Sequence, residues 1–398
     1  MQRLETECQC ARGERSDNAT RSSSFFGTIF NLPTPVEGLQ GLESLALQRL
    51  TMHECPVVLA VTLRRMTQEW LLVETLGAQP AVVAQGRQMK NFVPLAVFLR
   101  RNPNLAAIQT AVAATLAGGK GLTDTAPKSD RIIRTEPVAM SDGRIHAVHV
   151  WCGPPHEDPP DRPVPGPLVW DLTAAVGTAT AEYFVNAGMD PETESATGRA
   201  LAEDVPSRSH NSDEAKALSL AINSAPDRTY SATWGFTDKQ GLFRRVGWCV
   251  RTAFETAEDG TQHLIARALN LLEALGDPAL PPANLAHRIL HGMSQPGVYR
   301  AIVNLADWTP LKWLDDPCPL FDWRGRVRLH PDEENVVSGR IRDELQSGGT
   351  TSAVVRLPSG DGGWVRVHVT ISRVELDTGI YGGLVTMRLP TDAELAIH

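Results

Sequence analysis

One local pattern runs three times along this chain: a short amphipathic helix, a strand, a tight polar turn and a long strand. The first copy predicts a helix over 105–117, a strand over 131–140, the turn Ser141-Asp142-Gly143-Arg144 and a strand over 145–152. The second predicts a helix over 213–224, strands over 229–237 and 242–254, and between them the turn Asp238-Lys239-Gln240-Gly241. The third predicts a helix over 333–345, strands over 352–357 and 364–374, and the turn Gly360-Asp361-Gly362-Gly363. The turns recur about every 100 to 120 residues, which is the spacing of domains and not of a solenoid. The expected fold class is therefore α+β: three small tandem modules, each an antiparallel sheet with flanking helices.

Composition removes several function classes. A chain of 398 residues with 42% hydrophobic residues can bury several cores. Its net charge of −8 and pI near 5.8 oppose binding to nucleic acid or to an anionic membrane. No stretch approaches the roughly 18 apolar residues of a membrane helix. The six cysteines (Cys8, Cys10, Cys55, Cys152, Cys249 and Cys318) form no CxxC and keep no regular spacing, which reads as reduced and cytoplasmic.

Residues 1–65 differ from the rest. They hold no lysine and three of the six cysteines, and their seven arginines cancel seven acids. They read as a disordered arm, or as a mis-annotated extension with Met66 as the true start. The modules are expected at 66–153, 168–276 and 298–390. Between the first two, 154–167 belongs to a run, 153–167, with seven prolines in fifteen residues. Such a run is expected to be stiff and extended, holding the modules apart at up to about 3.1 Å per residue; the alternative is a passive spacer with modules packed through other surfaces. The second linker, 277–297, contains an expected connecting helix over 284–293, and 391–398 is a tail. The polar stretch 189–214, with a short helix near 198–203, reads as a lid or a disordered insert.

Strand residues alternate faces, so parity shows what each module buries. In the third module Val365, Val367, Val369 and Ile371 share a wholly aliphatic face, which reads as plain core. In the second, Tyr230, Ala232, Trp234 and Phe236 share a face, joined by Val246, Trp248 and Val250 of the next strand. Large aromatics carrying a phenol and two indole N–H groups suit a cavity with few, directional polar contacts. Tyr230, Trp234, Phe236 and Trp248 are thus the candidate lining of a ligand cavity; an aromatic core with its polar groups bonded to backbone is the alternative.

No catalytic residue, cofactor or metal ligand is assigned. His146 and His149 have opposite parity on one strand and cannot jointly hold a metal unless a third element turns back. His287 and His291 are four apart on an expected helix, but no glutamate base lies between them. Cys249 in a buried strand reads as an inert hydrophobe. Gly118-Gly119-Lys120-Gly121 reads as a helix stop and not a phosphate loop. No GxSxG or GxxxxGK[ST] occurs.

The trio His330-Pro331-Asp332 before a helix, then Asp361-Gly362-Gly363-Trp364-Val365-Arg366-Val367 joining two long strands, resembles a PAS domain over most of 298–390. With the opening Trp70-Leu71-Leu72-Val73-Glu74-Thr75-Leu76-Gly77 and the stretch 85–94 (QGRQMKNFVP), the whole of 66–390 resembles the mycobacterial and actinobacterial triple-sensor proteins, ordered PAS, GAF, PAS without an effector. The resemblance implies a GAF fold for the middle module, where strand parity alone does not separate GAF from PAS. It also implies signal integration or scaffolding, and it carries over no ligand residue. The expected function is a cytoplasmic sensor-only protein whose partners are signalling proteins and a small-molecule ligand, with no nucleic acid and no membrane span. The alternatives are an enzyme with a site assembled between domains and a ligand-free structural scaffold.

Overall fold

The computed structural model describes residues 69–127, 129–205, 213–276, 289–290, 292–324, 327–346 and 348–396. The 1–65 extension, the start at Met66, most of the 284–293 helix, and both His287 and His291 lie outside the described residues.

Three antiparallel sheets follow one another along the chain. The first comprises β1 (Leu71–Glu74), β2 (Ala81–Gln85), β3 (Gln88–Pro94), β4 (Leu122–Thr125), β5 (Ile132–Ala139) and β6 (Ile145–Gly153), in the order β3-β2-β1-β6-β5-β4. The second comprises β7 (Gly166–Asp171), β8 (Val176–Ala179), β9 (Thr197–Arg199), β10 (Thr229–Thr237), β11 (Phe243–Thr256) and β12 (Gln262–Leu275), in the order β10-β11-β12-β7-β8-β9. The third comprises β13 (Tyr299–Val303), β14 (Pro310–Trp313), β15 (Thr350–Pro358), β16 (Trp364–Asp377) and β17 (Ile380–Arg388), in the order β14-β13-β17-β16-β15. All three share one connectivity: a first meander, a helical crossing, then a three-strand meander whose last strand pairs with the first of the sheet. Among the described residues the helices are α1 (Leu95–Phe98) and α2 (Leu105–Gly118), then α3 (Ala181–Ala187), α4 (Leu201–Asp204) and α5 (Glu214–Ile222), then α6 (Pro331–Gln346) and α7 (Asp392–Leu395), besides the helical residues 289–290 and 292. Few and mostly short, they make the three-part fold mainly β, with less helix than the α+β reading implies.

The repeated turns have one physical cause. Asp142, Asp238 and Asp361 each accept, through the side chain, the N–H of the residue two positions on. Each turn then needs a left-handed residue, supplied by Gly143, Gly241 and Gly362 at φ +82°, +82° and +83°. Helix α2 buries Ile108, Ala111, Val112 and Thr115 against β5 and β6, one face at helical spacing. It ends at Gly119, whose N–H reaches back to the Thr115 carbonyl, as a helix stop should.

The proline-rich run does not hold the first two modules apart. Their sheets pack directly: Leu72, Val83, Ala84, Val138 and Ala147 of the first meet Cys249, Leu269 and Leu271 of the second. Pro163, Pro165 and Pro167 of the run are buried, Pro167 lies within β7, and the Pro160 carbonyl accepts from the Trp70 indole at 2.8 Å. The run is a strap on packed sheets, because burying two apolar sheet faces outweighs the stiffness of the connection.

Two polar clusters cross this junction. Glu74, 2% exposed, takes a bidentate pair from Arg251 at 2.7 and 3.0 Å. Arg267 reaches Glu255 at 2.7 and 2.8 Å and Asp142 at 2.8 Å, and donates to His146 Nε2 at 3.1 Å.

Candidate functional site

The middle sheet is covered on both faces. One face meets the first sheet; the other carries Tyr230, Trp234, Trp248, Val250 and Ala266 against α4 and α5. Between that face and the two helices lies a cavity of about 70 Å³. Its helical wall is Leu201, Asp204 and Val205 from α4 and its end, and Ala217, Leu218, Leu220 and Ala221 from α5, with Trp170 and Leu172 closing a side. The small residues Ala217 and Ala221, four apart on one helix face, leave the space open.

Three of the four expected lining residues meet here: Tyr230, Trp234 and Trp248. Phe236 does not join them. It is buried in the same apolar cluster but sits across from Arg244, near the hairpin turn, while the cavity lies toward the Thr229 end. Sequence parity gives the face, not the position along it.

Other members of the wall carried no sequence signal of their own. Asp204 is fully enclosed; its Oδ2 accepts from the Trp170 indole at 2.9 Å, and its Oδ1 from Arg199 at 2.9 Å. Burial raises the Asp204 pKa, against the pull of Arg199 and Trp170. Arg199 also lies over the Phe184 ring, 4.9 Å from its centroid. The stretch expected as a lid or insert is therefore ordered over 189–205: β9 edges the sheet and α4 walls the cavity; 206–212 lies outside the described residues.

The remaining polar groups of the wall are turned to backbone. Tyr230 donates to the Asp213 carbonyl at 3.2 Å, Thr252 to the Ala225 carbonyl at 2.6 Å, and Ser224 to the Leu220 carbonyl. The indole N–H of Trp248 is buried with no acceptor, and that of Trp234 has only the Tyr230 oxygen near it, outside hydrogen-bond geometry.

In the third module Val367, Val369 and Ile371 are buried in an apolar core, with Val365 packed against it. A second cavity, of about 60 Å³, lies among Val303, Trp308, Phe321, Ile341, Val355 and Val369, and its whole lining is apolar.

Among the described residues no group of three or more His, Cys, Asp or Glu is placed to hold a metal. Cys249 is buried between the first two sheets, where burial pushes its thiol pKa far up and leaves it inert. His146 donates from Nδ1 to the Ala268 carbonyl at 3.2 Å and is neutral, burial lowering its pKa to about 4. His149 stands edge-on to Trp70 with neither ring nitrogen bonded, and burial, with Arg162 nearby, lowers its pKa to about 3. No helix among the described residues is long and apolar enough to cross a membrane.

Fold and site together define a three-module, mainly β protein with apolar cavities in its second and third modules. The chain belongs to the Rv3651-like family: its N-terminal, middle and C-terminal domain models match residues 69–161, 164–272 and 283–398. It is similar to an uncharacterized protein from Mycobacterium tuberculosis of known crystal structure, at 50% identity and TM-score 0.75, covering 83% of this chain and 98% of that one. A sensory box histidine kinase/response regulator from Burkholderia thailandensis E264 matches at 14% identity and TM-score 0.20, over 27% of this chain and 76% of that one. An RNA-binding light-oxygen-voltage receptor matches at 12% identity and TM-score 0.21, over 59% and 97%. Neither of these two carries an argument at that score. No curated protein matches the chain.

Proposed function

We propose that this protein is a sensor without catalytic machinery, in which a small molecule held by the middle module alters how the third module sits against it. The observation that carries this reading is the double role of α5. One side of that helix walls the cavity, through Ala217, Leu218 and Ala221. It also packs across β16 and β17, in an apolar cluster that takes in Ile302, Leu311, Val374 and Leu384 of the third module. A ligand that prefers one setting of α5 biases the third sheet by the same free energy.

The modules, taken as 66–153, 168–276 and 298–390, are read as PAS- and GAF-type units. Support comes from the shared strand order and from contact between the two halves of the motif that suggested PAS. His330 stands edge-on to Trp364 with ring centroids 4.8 Å apart, and Glu333 accepts from Arg356 at 2.6 Å. The low helix content weighs against a full-sized version of either fold. A cytoplasmic protein exchanging signals with partner proteins is the setting this reading expects.

Hydrogen exchange of the full chain, with and without saturating cyclopentane, tests the relay. Slower exchange in α5 together with β16 and β17 is expected. Protection confined to β10–β12, or none at all, would overturn it.

A further inference from the structure

The reading above leaves the ligand's chemistry open, and the wall of the middle cavity narrows it. A volume of about 70 Å³ admits a ring or chain of only a few heavy atoms unless the walls move. No lysine or arginine is in the lining, and the one charged group there, Asp204, is a carboxylate, so an anion finds repulsion and no counter-charge. A cation gains little from that carboxylate. Asp204 is held by the Arg199 guanidinium through one oxygen and by the Trp170 indole through the other.

The donors decide the rest. Tyr230, Thr252 and Ser224 each spend their hydroxyl proton on a backbone carbonyl. Trp248 lines the cavity, is 4% exposed, and carries an indole N–H with no acceptor. An indole nitrogen donates and never accepts. A buried donor without a partner is a standing penalty, and an acceptor brought by a ligand removes it. The Trp234 indole N–H on the same wall also makes no hydrogen bond, but it has the Tyr230 oxygen near it, whereas the Trp248 N–H has no acceptor.

We infer that the middle cavity takes a small uncharged molecule, apolar over most of its surface, bearing a single carbonyl- or ether-type acceptor that receives the Trp248 indole N–H. This rests on the reading of the cavity as a ligand site, and the experiment separates the two.

Cyclopentanone and methylenecyclopentane have nearly the same shape and differ by C=O against C=CH2. Each is titrated into the full chain while the indole N–H resonances are followed by NMR. The ketone is expected to bind roughly five- to tenfold more tightly, the value of one neutral hydrogen bond, and to move the Trp248 indole resonance most. Trp248→Phe should erase the preference while the hydrocarbon still binds. The wild-type ratio and resonance shift decide the matter even where that variant fails to fold. Equal affinity for the two probes overturns the acceptor inference and leaves the cavity as a ligand site. Binding of neither overturns both.

Discussion

Replacing His149 with leucine should remove a large share of the acid sensitivity of the first sheet. His149 is 1% exposed, neither ring nitrogen has a partner, and its pKa falls from an ordinary 6.5 to about 3. The cause is burial first, with the positive charge of Arg162 adding to it. The fold therefore keeps this ring neutral while the unfolded chain protonates it below pH 6.5. The stabilisation is present in full above that pH and is lost as pH falls toward 3. Linkage gives a loss of about 2 kcal/mol between pH 7.5 and pH 5 from this one residue. His146, whose folded pKa is about 4, should lose about 2 kcal/mol more over the same interval. Asp142 and Glu255, whose pKa values are lowered, lose their contribution only below their ordinary values of 3.8 and 4.5, outside the interval. Hydrogen exchange of the β1 and β6 amides reads the opening free energy of this sheet without requiring the whole chain to unfold in one step. His149→Leu should reduce the pH 7.5-to-5 loss by about half, and should stabilise the sheet at neutral pH because two unsatisfied nitrogens are gone. An unchanged pH slope in the variant would refute the reasoning.

Three further outcomes are expected. Glu74→Ala strands the Arg251 guanidinium between the first two sheets and should cost about 3–5 kcal/mol in urea denaturation, and adding Arg251→Met should restore much of it. Gly166→Ala places a methyl 2.3 Å from the Tyr183 backbone, which cannot move aside, so thermal melting of the middle module should collapse to the level of an unfolded variant. Trp234→Ala should cost about 3–5 kcal/mol by chemical denaturation, whereas Tyr230→Phe, which loses only the bond to the Asp213 carbonyl, should cost about 0.5–1.5 kcal/mol.

The hairpins were legible because their signals are local. An Asp that accepts from the residue two ahead and a glycine free to go left-handed occur together in each turn, and parity on the flanking strands follows. Strand β12 was not legible. Its sequence, Gln262–Leu275, is rich in Leu and Ala, which favour a helix; pairing with β11 on one edge and β7 on the other overrides that preference. The pairing of first and last strands in each sheet joins residues far apart in sequence, such as Glu74 with Ala147 and Leu168 with Ala268, and no local pattern encodes it. At the site, the aromatic face was readable from alternation. Asp204 and Arg199 were not, because nothing in a polar stretch distinguishes an enclosed ion pair from a solvated one. Helix α5, read from the sequence as amphipathic, buries Leu218 and half-buries Ala217, Leu220, Ala221 and Ile222, while Lys216 stays exposed.

The two junctions differ in kind, and that difference bears on where movement can occur. Between the first and second sheets, any rotation would strip partners from Arg251 and Arg267, two largely buried guanidiniums whose carboxylates lie wholly or partly on the other side. Breaking the Glu74–Arg251 pair leaves a charge uncompensated, whereas Arg267 keeps Glu255 on its own sheet when Asp142 leaves, so it is the first pair that holds this junction against small displacements. Between the second and third modules the contact is mainly aliphatic, from α5 to Ile302, Leu311 and Leu384, with one buried ion pair, Lys312 to Glu214 at the start of α5, and one more exposed pair, Arg324 to Glu203. Apolar contact is non-directional and tolerates a shift of an ångström as long as area stays covered. A gap of about 30 Å³ among Trp170, Leu172, Ala221, Asn304 and Leu311 already lies along that junction. Four residues of its wall, Trp170, Leu172, Leu201 and Ala221, also line the middle cavity. On the proposed reading, the first two modules act as one body, and a ligand held by the second is felt along α5, whose apolar contact with the third can shift while the Lys312–Glu214 pair at its start holds.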